Sequence, residues 1–327
     1  MHLGLIGHRG PDLFADNIRD ALEHMGHRAS FLGSCHADRG GRLAVHLSEF
    51  AFAALPSTET RFQQRLVRRA LELECDAVIT TEGTLSHDTV AALRRNNVPV
   101  ALWYPDAISN LGRQRMLTAP YTAMFFKEPL LVTRLRDMLD LPVWYLPECC
   151  NPRWHRAVGP AGTERAIVVV GNTYPSRMML LRRLYEAGIP LVVYGSPVPR
   201  WAAELLPPGI HAGRPVFGEE KARVFRTAAG VLNNLHPAEI HGVNCRLFEA
   251  TGSGAAVLCE QRPVLADLFD VDREVVPFRD FTELVDRATE LLDHDGRTQE
   301  IGDAANKRAH SEHTYEARLP VILDKLA

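Results

Sequence analysis

A short apolar strand running straight into a glycine-rich turn and then a helix restricts the fold of this chain more than any other feature. His2-Leu3-Gly4-Leu5-Ile6-Gly7 reads as that strand and His8-Arg9-Gly10-Pro11 as the turn. Leu13, Ile18, Ala21, Leu22 and Met25 then keep helical spacing until Gly26 ends it. The rhythm recurs along the first half, with strands expected at 28–32, 43–47, 76–80, 98–103, 121–126 and 142–146 and helices at 58–74, 86–96 and 128–140. Several strands are continuous apolar runs, as in a parallel sheet covered on both faces.

From Leu146 to Gly162 the sequence LPECCNPRWHRAVGPAG is rich in proline and glycine, lacks a period, and reads as an interdomain linker. Beyond it the alternation restarts. Strands are expected at 165–170, 190–194, 230–234, 255–259 and 274–276, with helices at 175–187, 199–206, 218–228, 244–252 and 263–269. Long helices at 280–293, 297–309 and 313–326 close the chain. The expected class is α/β, with two Rossmann-like doubly wound domains facing a cleft. One covers 1–148 and the other 149–310, and the last helix, within 311–327, returns to the first domain. Such sheets bind ligands beyond the carboxyl ends of their strands, so the cleft is the expected site.

The 327 residues suit two domains, and 37 basic against 40 acidic residues give a net charge of −3. The balance is even, 16 to 17 in 1–150 and 21 to 23 in 151–327, which argues against bulk nucleic-acid binding. Only four of the cations are lysines, a bias that reads as composition rather than as a site. No apolar run reaches the roughly 18 residues of a membrane-spanning helix, and Met1 to Gly10 has no signal-peptide core, so a cytoplasmic protein is expected. The six cysteines, at 35, 75, 149, 150, 245 and 259, form no CxxC pair or zinc-finger spacing and read as reduced thiols.

Two strand-to-helix turns suit an anion. Gly7-His8-Arg9-Gly10 lacks the third glycine of a dinucleotide fingerprint, since Leu13 stands in its place, and reads equally as a tight turn or a phosphate cradle. Gly171-Asn172-Thr173-Tyr174-Pro175-Ser176-Arg177 puts a cation in the first turn of a helix. There it opposes the helix dipole unless a bound anion offsets it; a solvated loop arginine is the plain alternative. The sharpest stretch is LHPAEIHGVNCRLFEATGSGAAVL, from Leu235 to Leu258. Asn244 is the expected cap of a short helix on which Arg246 and Glu249 share a face, and Gly252 and Gly254 end that helix. An exposed ion pair would be worth little; charged groups near the strand ends are better placed for a ligand.

This stretch resembles the donor-site segment of GT-B glycosyltransferases, with Pro237, Gly242, Glu249, Ala250, Gly254 and Val257 in register. It is most similar to the CgeB-like, spore-maturation type of group 1 glycosyltransferase, whose signatures are met at Val170 to Arg177, Val193 to Gly195, Leu232-Asn233, Asn244 to Ala255, Glu274 to Phe278 and Glu312 to Arg318. The likeness covers most of 145–327; in 1–145 it is architectural only. It implies a glycosyltransferase, hexosyltransferase-like and retaining, that moves a sugar from a nucleotide-sugar to an acceptor hydroxyl or amine. It also implies that Glu249 holds ribose hydroxyls. Arg177 and Arg246 are candidates for neutralising the diphosphate, with Asn244, Gly171, Asn172, Gly252 and Gly7 as further donor-binding positions. Eight residues before Glu249, where many relatives carry a second glutamate, stands His241, a candidate catalytic group. Asp106, after Trp103-Tyr104-Pro105, and His8 or His87 could orient an acceptor, although Asp106 also reads as a structural turn residue. No DxD motif suggests a metal clamp, so no metal or other cofactor is expected. The competing readings are a nucleotide-sugar epimerase or hydrolase, and a sugar-nucleotide-binding protein without catalysis.

Overall fold

The computed structural model describes residues 1–36, 55–107 and 115–327, and the strand expected at 43–47 lies outside them. The chain divides into two compact units: Met1–Leu146 with Tyr315–Ala327, and Pro147–Thr314. In the first unit six parallel strands, β1 (His2–Ile6), β2 (Arg28–Gly33), β3 (Ala77–Thr80), β4 (Val100–Tyr104), β5 (Ala123–Phe126) and β6 (Val143–Tyr145), lie in the order β2-β1-β3-β4-β5-β6. Helices α1 (Phe14–His24), α2 (Pro56–Glu72), α3 (His87–Arg95) and α4 (Pro129–Leu139) make the crossovers from β1 to β2, β2 to β3, β3 to β4 and β5 to β6. Leu3, Leu5, Val78, Ile79, Leu102 and Met124 are completely or almost completely buried, which explains why β1, β3, β4 and β5 read as unbroken apolar runs.

The second unit repeats this plan with β7 (Glu164–Val170), β8 (Leu191–Tyr194), β9 (Ala228–Asn233), β10 (Val257–Glu260) and β11 (Val276–Phe278), all parallel, in the order β11-β10-β9-β7-β8. Its helices are α5 (Pro175–Glu186), α6 (Gly218–Thr227), α7 (Cys245–Gly252), α8 (Leu265–Leu268), α9 (Phe281–Asp293) and α10 (Asp295–Glu312). The last helix, α11 (Tyr315–Asp324), belongs to the first unit, where Tyr315 sits 5.8 Å from both Phe14 and Trp103 between ring centroids. In each sheet the winding reverses beside the unit's first strand, between β1 and β3 and between β7 and β9. Loops leaving two adjacent strands then diverge to opposite faces and open a crevice at the carboxyl ends. No helix among the described residues is long and apolar enough to cross a membrane.

Three expectations need correction. Residues 199–206 form only a 3-10 turn, Arg200–Leu205, because Pro207 and Pro208 follow at once and deny the helix its next turn. The strand expected at 274–276 begins at Val276, since Asp272 adopts a left-handed conformation and its N–H closes a turn on the Val275 carbonyl at 2.9 Å. The stretch read as a linker is packed into the second unit: Asn151 and His155 are fully buried, and the His155 Nδ1 accepts the Asn151 N–H at 2.9 Å. Proline, glycine and missing periodicity mark irregular backbone, which is a different property from exposure.

Candidate active site

In the second unit the loop after β7 turns at Gly171, whose N–H donates to the Tyr194 carbonyl at 2.8 Å and whose φ of +137° suits glycine. A Cβ on Gly171 would lie 3.3 Å from Arg177 Nη1 and 3.7 Å from Arg246 Nη2, so both guanidinium groups lie over this one peptide. Gly195, at the end of the neighbouring β8, approaches so closely that a Cβ there would overlap the Gly171 carbonyl oxygen.

Pro175 opens α5 at its first position, and Arg177 follows in the first turn, nearly buried at 8% exposure. Its Nε donates to Asn234 Oδ1 at 2.8 Å, its Nη1 to the Asn172 carbonyl at 2.8 Å and its Nη2 to the Asn234 carbonyl at 3.0 Å. Asn234 follows β9, so these bonds span the winding reversal. The Tyr174 ring lies 4.6 Å from the guanidinium, and the Tyr174 hydroxyl accepts from Asn234 Nδ2 at 3.0 Å. Burial lowers the Arg177 pKa and the nearby Arg246 charge lowers it further, while Tyr174 and Glu239 oppose the shift. The solvated-loop alternative for Arg177 is thereby excluded.

Glu249 lies on the buried face of α7 and pairs with Arg246 one turn before it. With side-chain exposures of 21% for Arg246 and 9% for Glu249, the two do not form the exposed ion pair of the plainer reading. The same carboxylate takes a residue that the sequence does not single out: Lys221 on α6, 3% exposed, whose Nζ stands 3.1 Å from Glu249 Oε2. His155 presents Nε2 to Glu249 Oε1 at 3.9 Å. Its Nδ1 accepts a backbone N–H, so the neutral ring carries its proton on Nε2, facing the carboxylate. Arg177, Arg246 and Lys221 thus gather with the carboxylates of Glu249 and Glu239 at the strand ends. Desolvated cations gathered in this way are stabilised by an anion.

Asn244 stands at the N-cap position of α7 but makes no side-chain cap bond. Its Oδ1 is buried and has no hydrogen-bond partner among the described residues, so the helix start lacks the usual side-chain cap. Gly252, at the opposite end of α7, serves packing: a Cβ there would press on Cys150 at 3.0 Å, and its carbonyl accepts from Asn306 Nδ2 at 2.6 Å and lies 2.8 Å from His310 Nε2. His241 is half-buried in the loop between β9 and α7.

In the first unit Gly7 donates its N–H to the Gly33 carbonyl at 3.0 Å, and a Cβ on it would overlap the Thr81 hydroxyl; this is close strand-end packing. His8 follows β1, His36 follows β2 and Glu82 follows β3. His8 Nε2 lies 3.9 Å from Glu82 Oε1, and His36 Nδ1 lies 3.7 Å from Oε2. Burial raises the Glu82 pKa, but His36, His8 and the Cys35 N–H together hold it below the ordinary value; that N–H donates to Oε2 at 2.8 Å. Asp106, after β4, is exposed, and His87, at the start of α3, has Nδ1 2.9 Å from the Thr118 carbonyl. Neither His36 nor Glu82 is a candidate from sequence.

Residues 176–324 match a family described as glycosyl transferase-like. No curated protein matches the chain in sequence. Sucrose-phosphate synthase from Thermosynechococcus elongatus has a similar structure with a TM-score of 0.69, 13% identity and coverage of 98% of this chain and 97% of that one. Anabaena HepE in complex with UDP is similar at 0.65, 11% identity and 100% and 99% coverage. AviGT4, a glycosyltransferase involved in avilamycin A biosynthesis, is similar at 0.63, 15% identity and 99% and 96% coverage. The chain has the GT-B fold of two Rossmann-like units, and its second unit carries most of a glycosyl transferase-like segment.

Proposed function

We propose that the protein is a glycosyltransferase that moves a hexosyl group from a nucleotide-sugar to an acceptor hydroxyl or amine with retention, and that it belongs to the CgeB-like type. The observation that carries this reading is the convergence of Arg177 and Arg246 on Gly171 at the carboxyl ends of β7 and β9, with Lys221 on the Glu249 carboxylate that Arg246 also pairs with. A nucleoside diphosphate is a poor leaving group until its developing charge is offset. Fixed guanidinium groups in a desolvated site do so without reorganising during the reaction, and without a metal ion. The start of α7, at the positive end of the helix dipole, also suits an oxygen anion. Asn172 and Gly171 line the same turn.

Glu249 is assigned to the ribose hydroxyls, whose hydrogens a carboxylate accepts. Both its oxygens already face side chains, so a ribose shares them with Lys221, Arg246 and His155. His241 is placed near the transferred sugar, and His8 and Asp106 on the acceptor side. Because Anabaena HepE binds UDP, UDP-sugars come first in the test.

The protein is incubated with UDP-, GDP-, dTDP- and CDP-sugars, with and without a panel of sugar and polyol acceptors, and free nucleotide is measured. Release that depends on an acceptor is the expected result. Release or a new sugar without acceptor would support the hydrolase or epimerase instead, and binding without turnover would support a non-catalytic protein.

A further inference from the structure

Three consecutive strand-end loops of the first unit bring two imidazoles and one carboxylate together, on residues 8, 36 and 82, far apart in sequence. We propose that His8, His36 and Glu82 form a binding site for a divalent transition-metal ion of the zinc class. The metal site shares His8 with the acceptor side of the transferase reading and nothing with the donor side, whose cations lie in the second unit, and metal binding is read separately from turnover.

One ligand atom from each of the three residues lies within 4.8 Å of the others; His8 stands 3.9 Å from Oε1 of Glu82 and His36 3.7 Å from Oε2, so the two carboxylate oxygens face one imidazole each. Around a tetrahedral zinc ion, with bonds of roughly 2.0–2.2 Å, neighbouring donor atoms stand about 3.4 Å apart. The contraction required is small for Glu82 and His36. His8, with its side chain 62% exposed, can take up the remainder by rotation. The two imidazole rings lie within 15° of parallel, with centroids 6.5 Å apart.

The carboxylate is held in place from behind. Glu82 Oε2 accepts the Cys35 N–H at 2.8 Å, and the Glu82 N–H donates to the Thr80 hydroxyl at 3.2 Å. Such outer contacts fix a ligand's orientation before the ion arrives. Two nitrogens and one oxygen suit zinc or cobalt better than magnesium or calcium, which take oxygen ligands. Three protein ligands with one exposed side leave a coordination position for water or a substrate oxygen. The place also fits, because His8 and Glu82 leave the paired strands β1 and β3 at the winding reversal. A mere ion-pair cluster is the competing account. It needs protonated imidazoles, whereas a metal takes neutral rings and a charged carboxylate.

The test uses the full chain, stripped with chelator and titrated at pH 7.5 with Co²⁺ and then Zn²⁺. One equivalent of Co²⁺ should give visible absorption bands of low-coordinate cobalt, and Zn²⁺ should displace them; Mg²⁺ and Ca²⁺ should not. His8→Ala and His36→Ala should each weaken Zn²⁺ binding by about tenfold or more, while His87→Ala, elsewhere in the same unit, should leave it unchanged. Glu82→Gln should remove stoichiometric binding. Because Glu82 is buried and its replacement can disturb folding, the two histidine variants are decisive, with His8 exposed and safe for folding. Failure to bind one equivalent, or binding equally tight in His8→Ala and His36→Ala, would overturn the proposal.

Discussion

In the first unit the loops after β1, β2 and β3 present His8, His36 and Glu82, whereas in the second the helices α5, α6 and α7 present Arg177, Lys221, Arg246 and Glu249. Both sheets are wound alike, with the second strand on one side of the first and the later strands on the other, so both open at the same topological place. Winding therefore fixes where a ligand goes, and the side chains on the loops and helices fix its chemical class. Permanently charged guanidinium groups select an anion. Imidazoles beside a carboxylate suit proton transfer or a metal ion instead.

This contrast can be broken by experiment. The largest effect is expected from Glu249→Ala, which leaves Lys221 buried opposite Arg246 without their shared carboxylate. Stability should fall by about 3–5 kcal/mol in urea titrations, along with nucleotide-sugar affinity. A fully stable variant would show that the carboxylate does not hold these cations. Next comes Arg177→Gln. Turnover should drop about 10²- to 10³-fold, as when a fixed transition-state donor is lost, with a stability change under about 2 kcal/mol. An undiminished rate would remove Arg177 from the reaction.

His8→Ala draws the line between the units from the other side. Acceptor-dependent turnover should fall by about 10²-fold, while nucleotide-sugar affinity by calorimetry stays as it was. Lower donor affinity would contradict the division of labour. The smallest effect concerns alkaline stability. Burial pushes the Cys259 thiol from 9.0 up to about 12, with the Glu260 charge adding to it. The unfolded chain then loses this proton at lower pH than the folded one, so the contribution is complete below pH 9 and is lost as pH rises toward 12. Cys259→Ala should flatten the decline in melting temperature over that interval.

Much of the fold was legible because strands buried on both faces carry long apolar runs, as β4 does over its whole length, β7 from Ala166 to Val170 and β9 from Ala228 to Leu232. The cation Arg177 was legible too, since a charge that opposes a helix dipole calls for an explanation. Lys221 was not, because on an amphipathic helix it reads as one more solvated charge. Its signal was rarity: Lys127 and Lys221, two of only four lysines in an arginine-rich chain, are both buried. His155 was hidden by its aperiodic surroundings. His36 and Glu82 meet only because β2 and β3 flank β1, a pairing that local sequence does not encode.

The central claim, that the second unit grips the diphosphate of a nucleotide-sugar through Arg177 and Arg246, is tested most directly by calorimetric titration of UDP-, GDP-, dTDP- and CDP-sugars into the native protein, Arg177→Gln and Arg246→Gln. At least one donor should bind the native chain, and each substitution should weaken it by about tenfold or more, the loss expected for a charge-assisted hydrogen bond. Equal affinity in all three proteins, or no binding of any of the four classes, would contradict the claim.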